Sequence, residues 1–222
     1  MNFTTQRIRQ LVAWGTVAAS IVMLGAVTPA WASVPQTPTE SVRSTIEEVI
    51  RILTNEQLKE PERMRERRQE IERIVRERVS YEDMAKQALG TQWRSLEASE
   101  RQEFVNLFVQ LLRDSFASKI DAYAGEHILY LSEDQNDRFA EVRTKLSGRK
   151  IDTLLEFRMI DDDGLWLVYD VVIDGASIVH NYRAQFASII RDASYSGLVE
   201  RMRERTFVVK GFETHSAPAP AL

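Results

Sequence analysis

The hydrophobic period changes twice along this chain, and that change limits the fold more than any other feature. From Ser99 to Tyr123 apolar residues recur every three or four positions: Phe104, Leu107, Phe108, Leu111, Leu112, Phe116, Ile120 and Tyr123. This is the stripe of an amphipathic helix, and residues 98–124 carry the strongest helical signal in the sequence. After Gly125 the period becomes two. His127–Leu131, Phe139–Leu146, Ile151–Ile160 and Leu165–Ile173 read as four strands. After Gly175 the helical period returns over Ala176–Ala193 and Gly197–Arg205. Chains that put strands together in one block and helices on either side build α+β folds.

The strand separators are short and rich in turn formers: Glu133–Asp137, Ser147–Arg149 and Asp161–Gly164. Such connections favour an antiparallel meander, since a parallel crossover needs a dozen residues or more. One face of the second and third strands is apolar, with Ala140, Val142, Thr144 and Leu146, then Ile151, Thr153, Leu155, Phe157 and Met159. Glu141, Arg143, Lys145, Asp152, Glu156 and Arg158 alternate onto the other face. The long helices are the natural cover for the apolar side. The fourth strand is apolar on both faces except for Asp170, so part of its second face is expected to be covered too.

Ahead of this block, Ser33–Glu40 holds two prolines and reads as a flexible leader. Val42–Leu58 has helical spacing, and Tyr81–Leu89 reads as a short helix ended by Gly90. Residues 59–79 are densely charged. Arg63–Arg78 contains seven arginines and four glutamates, with a thin apolar stripe of Met64, Ile71, Ile74 and Val75. Opposite charges at i,i+4, such as Arg68–Glu72 and Glu72–Arg76, make this a solvated helix face rather than a nucleic-acid or lipid surface.

The N-terminus reads as an export signal. Arg7 and Arg9 precede an apolar run from Leu11 to Val27, and Ala30-Trp31-Ala32 fits a signal-peptidase site, which places cleavage before Ser33. The run is short for a membrane span and is interrupted by Gly15, Thr16, Ser20 and Gly25. The expected organisation is a signal peptide over 1–32, a leader over 33–40, one domain over 41–206 and a disordered tail over 207–222. Removing the signal leaves 27 basic against 33 acidic residues, a net charge of −6, which argues against a general nucleic-acid partner. An exported chain with no cysteine suits a bacterial periplasm.

The catalytic inventory is thin. With no cysteine there is no thiol nucleophile, cysteine–zinc site or iron–sulfur cluster. His127, His180 and His215 are scattered, no His-Glu-x-x-His occurs, and no Gly-x-Ser-x-Gly elbow exists. The triplet Asp161–Asp163 lacks the spacing of a calcium loop and, followed by Gly164, reads as a hairpin turn. Asp170 lacks a second carboxylate to work with, so a structural hydrogen-bonding role is expected. Neither catalytic nor metal residues, nor a cofactor, are expected.

Tyr81-Glu82-Asp83-Met84-Ala85-Lys86-Gln87-Ala88-Leu89-Gly90, followed by Trp93-Arg94 and Arg101–Phe108, resembles the periplasmic phospholipid-binding proteins of the Mla pathway, the MlaC or toluene-tolerance family. The run from Trp166 to Phe186 (WLVYDVVIDGASIVHNYRAQF) and Gly197-Leu198 resemble the same family. The resemblance covers roughly residues 42–205. It implies an α+β fold in which helices pack around a twisted four-stranded antiparallel sheet and enclose an apolar lipid cavity. It also implies a soluble carrier whose cargo is phospholipid. Its partners would be an outer-membrane lipoprotein complex and an MCE-domain protein of an inner-membrane ABC transporter. On that reading the lipid-binding residues are Val142, Leu155, Phe157, Met159, Val168 and Val172 from strands, with Leu107, Leu111, Ile120, Tyr123, Ile178 and Phe186 from helices. Two other classes compete, an α+β interaction module with a solid core and an exported hydrolase using Asp170 or His180. Lipid extracted from the purified protein separates the first from a carrier, and ester turnover would mark the second.

Overall fold

The computed structural model describes residues 36–121, 123–148 and 152–204. The expected signal peptide, its cleavage point and the C-terminal tail lie outside them. The elements are α1 (Pro38–Leu53), α2 (Met64–Arg76), α3 (Tyr81–Leu89), α4 (Ala98–Asp121), β1 (His127–Asn136), β2 (Phe139–Ser147), β3 (Thr153–Asp162), β4 (Leu165–Ile173), β5 (Ala176–Ser177) and α5 (Ile178–Arg203). No helix among the described residues is long and apolar enough to cross a membrane.

The sheet is an antiparallel meander in the order β1-β2-β3-β4-β5. It has five strands, which corrects the expected four. Val172 pairs with Ser177 and Ile173 with Ala176, where a helix start was expected. The cause is the dipeptide between them. Asp174 and Gly175 both take positive φ, 48° and 84°, which closes a tight two-residue hairpin and returns the chain along β4. Asp163-Gly164 does the same between β3 and β4, at 51° and 87°.

β1 also runs on through Ser132–Asn136, a polar stretch expected to be a turn. It is an edge strand with a single sheet neighbour, so backbone pairing to β2 suffices and no apolar face is required of it. α1 begins earlier than expected, at Pro38, because Thr37 and Glu40 form a capping box: Glu40 N donates to Thr37 Oγ1 (3.2 Å) and Thr37 N to Glu40 Oε2 (2.9 Å). It stops at Leu53 rather than Leu58, where Thr54 Oγ1 donates back to the Ile50 carbonyl (2.9 Å) and Asn55 caps a separate 3-10 turn. α3 has the expected bounds. The two expected C-terminal helices form one run, α5, broken inside by Ser194 at φ 66°, ψ 173°.

Apolar packing divides into two bodies. The helix-side core joins α3, α4 and α5 through Met84, Ala85, Ala88, Leu89, Trp93, Phe104, Phe108, Leu112, Tyr182, Phe186 and Leu198. Phe108 meets Tyr182 edge-on at 5.3 Å between ring centres, and Phe104 meets Phe186 at 5.7 Å. The sheet-side core joins Val42 of α1 to Ala140, Val142, Met159, Trp166 and Val168. Half-buried Val79 and Val171 pack against both.

Candidate functional site

Residues paired across an antiparallel sheet point to the same face. The inner face therefore carries three rows: Ala140–Met159–Val168, Val142–Phe157–Val171 and Thr144–Leu155–Ile173, with Tyr130 opposite Thr144. α1 packs against this sheet from β1 to β4. Ser41 Oγ donates to the Trp166 carbonyl (3.3 Å), Thr39 N donates to Glu133 (2.8 Å), and the Arg43 guanidinium sits 4.0 Å over the Tyr130 ring. Burial holds the Tyr130 hydroxyl in its neutral form and raises its pKa, against the opposing pull of Arg43.

The outer face is an ion ladder. Arg158 reaches Asp170 (3.2 Å) and Glu141 (3.6 Å), and Arg143 reaches Glu141 (2.5 Å) and Glu156 (3.9 Å). Asp170, only 3% exposed, also accepts from Ser177 Oγ (2.6 Å) and from Val179 N (3.1 Å). One strand carboxylate thus satisfies the first turn of α5 and fixes that helix to the sheet. His180 is exposed in the same turn.

The twelve lipid-binding residues expected from the sequence fall into two groups. Leu107, Leu111, Ile120, Tyr123, Leu155 and Phe157 are half-buried. Val142, Met159, Val168, Val172, Ile178 and Phe186 are buried. Val142, Leu155, Phe157, Met159 and Val168 share the inner face. Val172 does not, because the register shifts where Arg158 faces Asp170 and Met159 faces Val168. The extra residue, Tyr169, reverses the alternation, so Val171 and Ile173 point inward in its stead. Strict alternation missed those two, and a strand apolar on both faces offers no signal of a bulge. Ile178 and Phe186 belong to the helix-side core, against which Leu107 and Leu111 pack.

Ile46, Tyr130 and Phe157 pack half-buried against the sheet-side core, and Leu107, Leu111 and Phe116 against the helix-side core. A domain of this size normally forms one contiguous core. Here there are two, and half-buried Val79 and Val171 pack against both. Elsewhere, an open pocket of about 490 Å³ beside the start of α5 is lined by Arg158, Gly175, Ala176, Ser177, His180, Asn181, Ala184 and Gln185. None of the twelve expected residues lines it. Among the described residues no three His, Asp or Glu side chains gather to hold a metal ion.

The fold is similar to that of a solved phospholipid-binding protein from Ralstonia solanacearum in complex with a phospholipid. The TM-score is 0.68 at 20% identity, covering 74% of this chain and 94% of that one. The intermembrane phospholipid transport system binding protein MlaC of Haemophilus influenzae is 24% identical over 132 residues, covering 57% of this chain and 62% of the relative, so the match spans about three-fifths of that protein's length. These similarities are to lipid-transport and lipid-binding proteins rather than to enzymes. The family profile described as MlaC protein matches residues 43–204, most of the chain, and with the fold in agreement the chain belongs to the MlaC family.

Proposed function

We propose that this protein is a periplasmic phospholipid carrier, and that it holds the acyl chains in the seam between its two cores. What supports the reading is the set of half-buried apolar side chains packed against each core, in a chain similar to phospholipid-binding proteins. Two acyl chains contain about 30 methylenes, each worth ~0.8 kcal/mol on exposure to water, so unassisted transfer costs on the order of 20 kcal/mol. A surface that nearly cancels this term lets lipid enter and leave without any bond being made or broken. Leu107, Leu111, Ile120, Tyr123, Leu155 and Phe157 touch the tails in this reading, backed by Val142, Met159, Val168, Ile178 and Phe186. The carrier takes its cargo between an outer-membrane lipoprotein complex and an MCE-domain protein of an inner-membrane ABC transporter, after export and cleavage before Ser33.

The test is solvent extraction and mass spectrometry of the purified protein, with Phe157→Arg as the variant. The wild type is expected to yield stoichiometric phospholipid. A long arginine lying in an open seam can reach water, so Phe157→Arg should keep near-normal far-UV circular dichroism and lose the lipid. Absence of lipid from the wild type, or full occupancy in the variant, overturns the placement.

A further inference from the structure

The buried face of α2 is Arg67, Ile71 and Ile74, spaced i, i+4, i+7. An arginine therefore occupies a core position in an otherwise apolar stripe, 6% exposed. Its Nη2 donates to the Ile120 carbonyl at 3.4 Å, a long bond to one of the last carbonyls of α4. Its Nε is buried and has no hydrogen-bond partner among the described residues. The acids of α2 are committed elsewhere: Glu66 to Arg63, Glu70 to Arg73, Glu72 to Arg76 and Arg113. Asp121, at the end of α4, is held by Arg68 through Oδ2, and its buried Oδ1 accepts nothing, so it does not receive the Arg67 Nε either.

A guanidinium cannot shed its proton, and burying it without an anion is strongly unfavourable. The bond to the Ile120 carbonyl uses one of its five donors, and a second, Nε, is buried with no partner among the described residues. The planar fork of N–H donors matches a phosphate better than any neutral group. Arg67 also stands at Ile120, beside the end of α4 where Ile120 and Tyr123 are placed against the acyl chains. We infer that Arg67 binds the phosphodiester of the carried lipid, so that the protein selects glycerophospholipid over lipids of equal apolar bulk that lack a phosphate. This rests on the carrier reading above and adds to it a cationic subsite and a basis for selection.

The test is a competition. Delipidated protein is reloaded from detergent with equimolar phosphatidylglycerol and diacylglycerol of identical chains, and the bound ratio is read by mass spectrometry. The wild type is expected to favour the phospholipid roughly tenfold or more, the scale of one charge-assisted hydrogen bond. Arg67→Met keeps the volume and should bring the ratio towards one, while Arg67→Lys should retain part of the preference. A wild-type ratio near one overturns the inference by itself, whether or not the methionine variant folds, and leaves the carrier reading standing. No uptake of either lipid overturns the carrier reading itself. A second arm adds inorganic phosphate to lipid-free protein. Stabilisation by free phosphate that depends on Arg67, with no phospholipid preference, assigns the site to a free anion and overturns the lipid assignment.

Discussion

The two cores differ in how completely they close. On the helix side, Phe104, Phe108, Tyr182, Phe186 and Leu198 are fully enclosed, and their rings interlock at edge-to-face distances. On the sheet side, buried Val142 and Met159 have half-buried Phe157 and Leu155 as neighbours on the same face. What separates them is the partners: α3, α4 and α5 pack on one another, whereas the sheet-side core is joined by α1 through Val42. One region is fully enclosed, and the other leaves part of its apolar surface half-buried.

The largest effect that would break this contrast comes from Phe108. Phe108→Ala opens a cavity in closely packed surroundings and is expected to lower stability by about 3–5 kcal/mol in urea unfolding, against roughly 1–2 kcal/mol for Phe157→Ala at the seam. Equal losses at the two sites would erase the distinction. Asp170→Asn comes next. It removes the ion pair to Arg158 and weakens the anchoring of α5, with an expected loss of roughly 2 kcal/mol. Because Asp170 lies on the outer face, phospholipid occupancy should remain unchanged in the same sample, and lost lipid with an intact fold would move the site towards it.

The smallest effect is confined to alkaline pH. Burial pushes the Tyr182 hydroxyl up to about 12, opposed by its hydrogen bond with Ser115 (2.9 Å). An unfolded tyrosine titrates near 10. Between those values the folded chain keeps a proton that the unfolded chain has lost. The stabilisation is therefore complete below pH 10 and disappears as the pH rises to about 12. Its size is on the order of 2 kcal/mol. Urea midpoints measured from pH 9 to 12 should fall less steeply in Tyr182→Phe than in the wild type, and identical slopes would show that the helix-side core is wetter than its packing indicates.

Much of this architecture was legible in the sequence because periodicity reports burial directly. The stripe Phe104–Phe108–Leu112 gives α4, and the alternation Ala140–Val142–Thr144 gives the inner face of β2. The misreadings arose where backbone chemistry overrides the pattern. Thr37-Pro38-Thr39-Glu40 is a capping box that composition alone made look like a loose leader. Asp174-Gly175 is a hairpin turn that hides a strand too short for any period. The bulge at Tyr169 turns Val172 off the inner face and Val171 and Ile173 onto it, and nothing in an all-apolar strand marks it. Arg67 was missed for a different reason. Its neighbours Arg65 and Arg68 are exposed, so the segment reads as solvated, and only its spacing from Ile71 and Ile74 sets it apart.

The two margins of the sheet are unequal. β4 is flanked by β5 at one end, while at the other Val79 pairs with Val168: Ser80 N donates to the Val168 carbonyl and Val168 N to that of Arg78, each at 2.9 Å. β1 has no strand on its far side among the described residues, and Leu129 and Leu131 on it are exposed. A sheet with two bare margins can add molecules without limit, which is how fibres grow. Here association through the backbone of β1 would use up that margin on both molecules at once. It would stop at a pair, so the sheet would not seed a filament.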